Sequence, residues 1–191
     1  AAQYVATWVL RSEGAVTFLF VALVGPALLT TPAWTTVARR VGKESAFRAA
    51  SVLFLAATVT VTAAAWVPGV WIYASVALAG IAYAGLQCLP MAMLPDVISH
   101  DERVSGPGHA GTFTGVWTAG ETVGFALGAT IVALMLASTG YISTVAGVTA
   151  EQPAAAVTGI VLSFSIVPAV LMTASLVTLR RYRLRRADIE T

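Results

Sequence analysis

Five apolar runs, each long enough to cross a bilayer, divide this chain, and they constrain its fold more than any motif does. They lie at 14–38, 46–66, 69–98, 111–138 and 157–179. About 20 consecutive apolar residues are needed for a helix to span the hydrocarbon core. A sixth run, 1–10, is too short to span and reads as the end of a helix cut short, so the chain reads as a piece of a longer polypeptide. Lipid leaves the backbone no partner outside the chain, so such runs must be helices. Composition agrees: 58% of the 191 residues are hydrophobic and 10% are charged. A water-soluble domain needs roughly a quarter of its residues charged. The mean hydropathy is +0.82.

Several runs contain helix-breaking residues, Pro26, Pro32, Pro90, Gly124 and Pro168, which membrane helices tolerate better than soluble ones. Pro90 and Pro95 predict a kink toward one end of the third run. The connections are short except 96–110 and 139–156, and neither holds a soluble domain. A net charge of +2 is too small to point to nucleic acid. Cys88 has no second cysteine to pair with and reads as a small packing residue.

The basic residues set an orientation. Arg39, Arg40, Lys43, Arg48, Arg103, Arg180, Arg181, Arg183, Arg185 and Arg186 fall on one side of the alternation, and Arg11 alone on the other. By the positive-inside rule the loops 39–48 and 96–110 and the tail 180–191 are cytoplasmic. The basic tail also suits anionic lipid.

Ionisable and polar groups at membrane depth are the candidates for function, since each is costly unless paired or hydrated. Glu121 lies about ten residues into its run, roughly 15 Å deep in a core of about 30 Å. Thr114, Trp117, Thr118, Glu121 and Phe125 share a helical face, a stripe of hydroxyls, an indole, a carboxyl and aromatic surface of the kind that lines ligand cavities. Pairing of Glu121 with a neighbouring helix is the alternative. Gly120, Gly124 and Gly128 form a repeated GxxxG on the opposite side, read as helix packing. Tyr83 and Gln87 lie four residues apart on one face of the third run, Gln87 lining a path or bridging helices. Asp96, Asp101, Glu102 and Arg103 gather with His100 and His109 near one loop. Their spacing matches no established metal-ligand pattern, and a solvated loop is the simpler reading. No phosphate-binding Gly-rich loop and no nucleophile elbow occurs, so the chain does not read as an enzyme.

Three stretches resemble one family. They are Met93-Leu94-Pro95-Asp96-Val97-Ile98 with Asp101-Glu102 and Gly106; Gly111 through Trp117-Thr118 to Glu121, Gly124 and Gly128; and Pro32-Ala33-Trp34 leading to Arg39-Arg40-Val41-Gly42-Lys43. They are similar to the glycoside–pentoside–hexuronide:cation symporters of the major facilitator superfamily, the melibiose-permease group. The resemblance covers nearly the whole chain. It implies an all-α integral membrane protein: the C-terminal six-helix bundle of a twelve-helix fold, with the first helix truncated and an N-terminal six-helix half as partner. It implies transport of a small solute, sugar or glycoside favoured, coupled to Na⁺ or H⁺, in the plasma or inner cell membrane. No tightly bound cofactor or metal is expected.

On this reading Glu121, Trp117, Thr118, Thr114, Gln87 and Tyr83 line the pathway, and Asp96, Arg103, Arg39 and Arg40 form a cytoplasmic gate. Three departures limit the carry-over. Glu121 stands where sugar-transporting members resemble one another in a lysine. Arg39 replaces a usual acid. Pro107-Gly108-His109 replaces basic residues. A lipid or cationic-drug transporter of the same fold, or a non-transporting membrane scaffold, are the other readings.

Overall fold

The computed structural model describes residues 14–63, 66–67, 69–106, 108–143 and 151–179. Among them are five helices and no strand: α1 (Ala15–Val41), α2 (Lys43–Thr62), α3 (Trp71–Ser105), α4 (Ala110–Ser138) and α5 (Ala154–Leu179). All five are long and apolar enough to cross a membrane. The short run 1–10 and the tail 180–191 lie outside the described residues.

The prolines do not break the helices. α1 runs through Pro26 and Pro32, and the threonines around them bond back onto their own helix. The Thr30 hydroxyl donates to the Pro26 carbonyl at 2.7 Å, and Thr35 and Thr36 donate to the Pro32 carbonyl at 2.8 and 3.0 Å. These hydroxyls are thus satisfied on their own helix, the usual i−3 or i−4 back-bonding of a threonine in a helix. α3 likewise continues past Pro90 and Pro95 and is 35 residues long, roughly 52 Å at 1.5 Å per residue, against a core of about 30 Å. The apolar run 69–98 therefore ends short of the helix. The acids expected on a loop at 96–110 sit on extra turns of α3, and the connection shrinks to 106–109.

Gly42 and Gly106 terminate α1 and α3. Gly42 has φ +90° and its N–H bonds to the Ala38 carbonyl at 3.0 Å; Gly106 has φ +88° and bonds to Glu102 at 3.1 Å. Residues with a Cβ rarely adopt this backbone. The turn at Gly42 is so tight that α2 begins at the next residue.

α3 is the centre of the assembly and packs most extensively on α1 and α2, while α2 also packs on α5. Lipid offers no hydrophobic drive between helices, so close packing of small residues supplies the attraction. A Cβ on Gly80 would stand 2.1 Å from the Leu23 carbonyl oxygen, and one on Gly85 would stand 2.8 Å from Ala50 Cβ and 2.9 Å from the Trp34 ring. Trp34, Ala46, Ala50, Ala84 and Leu89 form one buried cluster. The Trp34 indole N–H donates to the Ile81 carbonyl at 2.7 Å, tying α1 to α3. A second cluster at the other end joins Leu19, Val61, Ile72, Val76, Leu136 and Ile160.

α4 is the exception. Leu136 is its one buried residue, and its packing is with α5 and, more sparsely, α3. A Cβ at Gly120, Gly124 or Gly128 would meet nothing within 4 Å. The repeated GxxxG, expected to pack a neighbouring helix, contacts none among the described residues. The reason is geometric: α4 joins the bundle near its last turns, where Gly159 of α5 sits against Thr139.

Candidate functional site

The end of the bundle that carries Lys43 also gathers the charged groups. Lys43 follows Gly42 directly, so the turn aims its side chain across at α3. Its ammonium donates to Asp96 Oδ2 at 2.6 Å and to the Ala92 carbonyl at 2.8 Å. Pro95 has no N–H to give the preceding turn, and the Lys43 ammonium docks on that same stretch. The Asp96 side chain is about one-fifth exposed and that of Lys43 about two-fifths (20% and 39%). Of the residues proposed from sequence for this end, Asp96 thus meets Lys43, which was not among them. Arg39 and Arg40 occupy the last turn of α1. Arg103 donates through Nε to the Ser99 carbonyl at 3.3 Å, on its own helix.

One turn beyond Asp96, Asp101 closes the link to α4. Its Oδ2 lies 2.8 Å from Nδ1 of His109, and its Oδ1 accepts from the Ser105 hydroxyl at 3.1 Å. His109 is the residue before the first turn of α4. Asp101 and His109 form this tether while Asp96 pairs with Lys43, and no group of three or more metal-ligating side chains comes together among the described residues.

At membrane depth the polar groups lie on α3 and α4. The Gln87 amide donates to the Tyr83 hydroxyl at 3.0 Å, so it bonds along its own helix instead of bridging to another. Both side chains lie on the exposed face of α3. On α4, Thr114 and Thr118 line an open groove of about 930 Å³ with Gly111, Gly115, Thr122 and Val123. The Thr114 hydroxyl bonds to the Ala110 carbonyl at 2.9 Å. Glu121 is exposed near the middle of the helix and makes no hydrogen bond or ion pair among the described residues. Trp117 is half-buried, and its indole N–H is buried with no partner among the described residues. Phe125 is 72% exposed. No hydrogen bond among the described residues joins the Tyr83–Gln87 pair to the α4 stripe.

Sequence reasoning missed Lys43 because its partner lies 53 residues away. The one local cue was its position just past a glycine in a basic loop. Trp34 was noticed only within a motif, and its bond to a mid-helix carbonyl left no sequence trace.

Residues 1–186 match the family model described as MFS/sugar transport protein. The chain is also 26% identical over 189 residues to an uncharacterized symporter of Synechocystis sp., across 96% of this chain and 34% of that protein. It therefore spans about a third of the length of the curated relative it matches. No solved structure matches it significantly. The chain belongs to the MFS/sugar transport protein family, and its five long apolar helices are those of a multi-pass integral membrane protein.

Proposed function

We propose, from that membership, that this chain is the C-terminal moving half of a secondary transporter that couples a small solute, of the sugar or glycoside class, to Na⁺ or H⁺. The other half would be an N-terminal six-helix bundle, the two rocking around a site between them, as alternating access requires. The basic end and the C-terminus face the cytoplasm, and the membrane is the plasma or inner cell membrane.

The observation that carries this reading is Glu121. A carboxylate near mid-span costs about 2.5–3.5 kcal/mol even on an insertion scale. Here it stands on a helix whose flanks are almost wholly uncovered. Such a helix is stable in a bilayer when a second bundle and a watered cavity cover it. The orphaned Trp117 N–H on the same face supports a ligand or second bundle there, since buried donors are almost always paired. Glu121 would attract the coupling cation or carry the proton. Thr114, Thr118, Trp117, Tyr83 and Gln87 would bind the solute through hydroxyls, amide and ring faces. Asp96 and Lys43, with Arg39, Arg40 and Arg103, would hold the cytoplasmic closure.

An acid amid aromatic surface also suits a cationic amphiphile, which makes organic cations the second candidate class. Uptake into vesicles holding the complete transporter, driven by imposed Na⁺ or H⁺ gradients and screened over sugars, glycosides and organic cations, tests both readings. The expected result is gradient-driven uptake that Glu121→Gln abolishes or shifts in pH dependence without loss of folded protein. Uptake indifferent to Glu121→Gln at every pH removes the acid from the mechanism.

A further inference from the structure

α4, which carries Thr114, Trp117, Thr118 and Glu121, is tied to the bundle at its two ends. At one end Leu136, its one buried residue, joins Ile72, Val76 and Ile160 in a cluster, and Thr139 sits against Gly159. At the other end His109 Nδ1 lies 2.8 Å from Asp101 Oδ2. The chain doubles back there because Gly106 and Gly108 take φ +88° and +122°, a backbone that side chains disfavour. His109 then directly precedes the first turn of α4. The Ser105 hydroxyl occupies Asp101 Oδ1 at 3.1 Å and leaves Oδ2 to the imidazole.

This pair differs in kind from its neighbours. Lys43 pairs with Asp96, and Arg48 with Glu44; pairs of lysine or arginine with a carboxylate keep their charges through the neutral range. A histidine changes charge between about pH 5 and 8. A charged donor also makes a bond about twice as strong as a neutral one. The His109 side chain is 53% exposed, against 25% for Asp101, so protons of the surrounding solution reach it directly.

The other charged or titratable groups of this end, among the described residues, lie on three helices. They are Arg39 and Arg40 on α1, Lys43, Glu44 and Arg48 on α2, and Asp96, His100, Glu102 and Arg103 on α3. The described part of α5 has none, and α4 has only Glu121, twelve residues or roughly 18 Å along the helix from His109. Of these only His100 is of the same titrating type. It directly precedes Asp101, and consecutive residues of a helix do not face each other.

We infer that Asp101 and His109 form a pH-sensitive clasp. Acid on the side of the basic end charges His109 and fastens the start of α4 to α3, and the clasp loosens as pH rises through the histidine range. Its bearing on transport, that acid there slows the movement of α4, rests on the function proposed above; the clasp itself does not.

Hydrogen–deuterium exchange of the complete protein at several values between about pH 5 and 8, expressed as protection relative to the unfolded chain at the same pH, tests the clasp without a transport readout. Protection over residues 106–113 is expected to fall about two- to fivefold across that range, the scale of an exposed ion pair, while the segment around Trp34 keeps its own. Asp101→Asn and His109→Gln, which remove the pair from opposite sides, each flatten the profile, and His100→Gln leaves it as it was. A flat profile in the unaltered protein, one that persists in His109→Gln, or one that His100→Gln abolishes would overturn the assignment. A clasp that titrates while uptake into vesicles has the same pH profile with and without Asp101→Asn would overturn its bearing on transport. Absence of uptake from any solute would count against the proposed function alone, since the exchange profile is read independently of it.

Discussion

The Lys43 ammonium bridges two helices, 2.6 Å from Asp96 Oδ2 and 2.8 Å from the Ala92 carbonyl. It thereby fixes the start of α2 against the middle of the long α3. The turn at Gly42 places Lys43 there, so a backbone feature of the α1–α2 junction determines a charge contact with α3. Removing either charge leaves the other partly buried without its partner. Asp96→Asn and Lys43→Met each lower thermal stability, and the double variant loses less than their sum. A double-mutant cycle on unfolding should give a coupling of about 0.5–1 kcal/mol, in the upper range for partly exposed pairs. Strict additivity would assign the contact no energetic role.

Trp34 and Gly85 meet at one close α1–α3 contact, and Leu23 and Gly80 at another that is closer still. Trp34→Phe keeps most of the ring but deletes the bond to Ile81, and should cost about 1 kcal/mol. Gly85→Ala brings a methyl to 2.8 Å from Ala50 Cβ and 2.9 Å from the indole, an overpacking of about 1–3 kcal/mol. Gly80→Ala should be worse, because the obstacle at 2.1 Å is the Leu23 backbone, which cannot rotate away. Melting temperatures of the three variants in detergent should fall in that order, Trp34→Phe least.

The number and order of spanning helices could be read directly from the apolar runs, because lipid requires every backbone bond to be satisfied within the segment. Their ends could not. Hydropathy stops at residue 98 because Asp96, His100 and Asp101 are polar, but a helix stops where its backbone is turned, and for α3 that is Gly106. Depth identified Glu121, Trp117 and Gln87 as candidates, since cost depends on local burial in lipid. Pairing remained hidden: apart from its place just past Gly42, nothing local in the sequence separates Lys43 from Arg39 or Arg40 as the partner of Asp96. The GxxxG pattern on α4 marked a surface able to pack but carried no information on whether a helix of this chain packs there.

Asp101 and His109 govern how firmly α4 is held at its start. The connection 106–109 is short, and the pair spans it at 2.8 Å. Asp101→Ala deletes both this contact and the one to Ser105, and His109→Ala deletes only the first. Deuterium uptake over residues 106–113 should rise in both variants, more in Asp101→Ala, while α1 and α3 near Trp34 remain as protected as before. A rise spread evenly over the bundle would mean that the pair supports the whole fold and not α4 alone.

The glycine face of α4 separates folding of this bundle from assembly of the transporter. Within the described residues a side chain at Gly124 meets nothing, and replacing a mid-helix glycine removes a backbone entropy cost of about 0.5–1 kcal/mol relative to alanine. Gly124→Ala should therefore leave the bundle as stable as before or slightly more so. If a second bundle packs on this face during transport, Gly124→Leu holds the two helices apart, because the GxxxG spacing works by close backbone approach. The paired result expected is an unchanged or higher melting temperature for Gly124→Ala and a large loss of uptake for Gly124→Leu at normal membrane abundance. Full uptake by Gly124→Leu would show that no second helix approaches closely at Gly124 during transport.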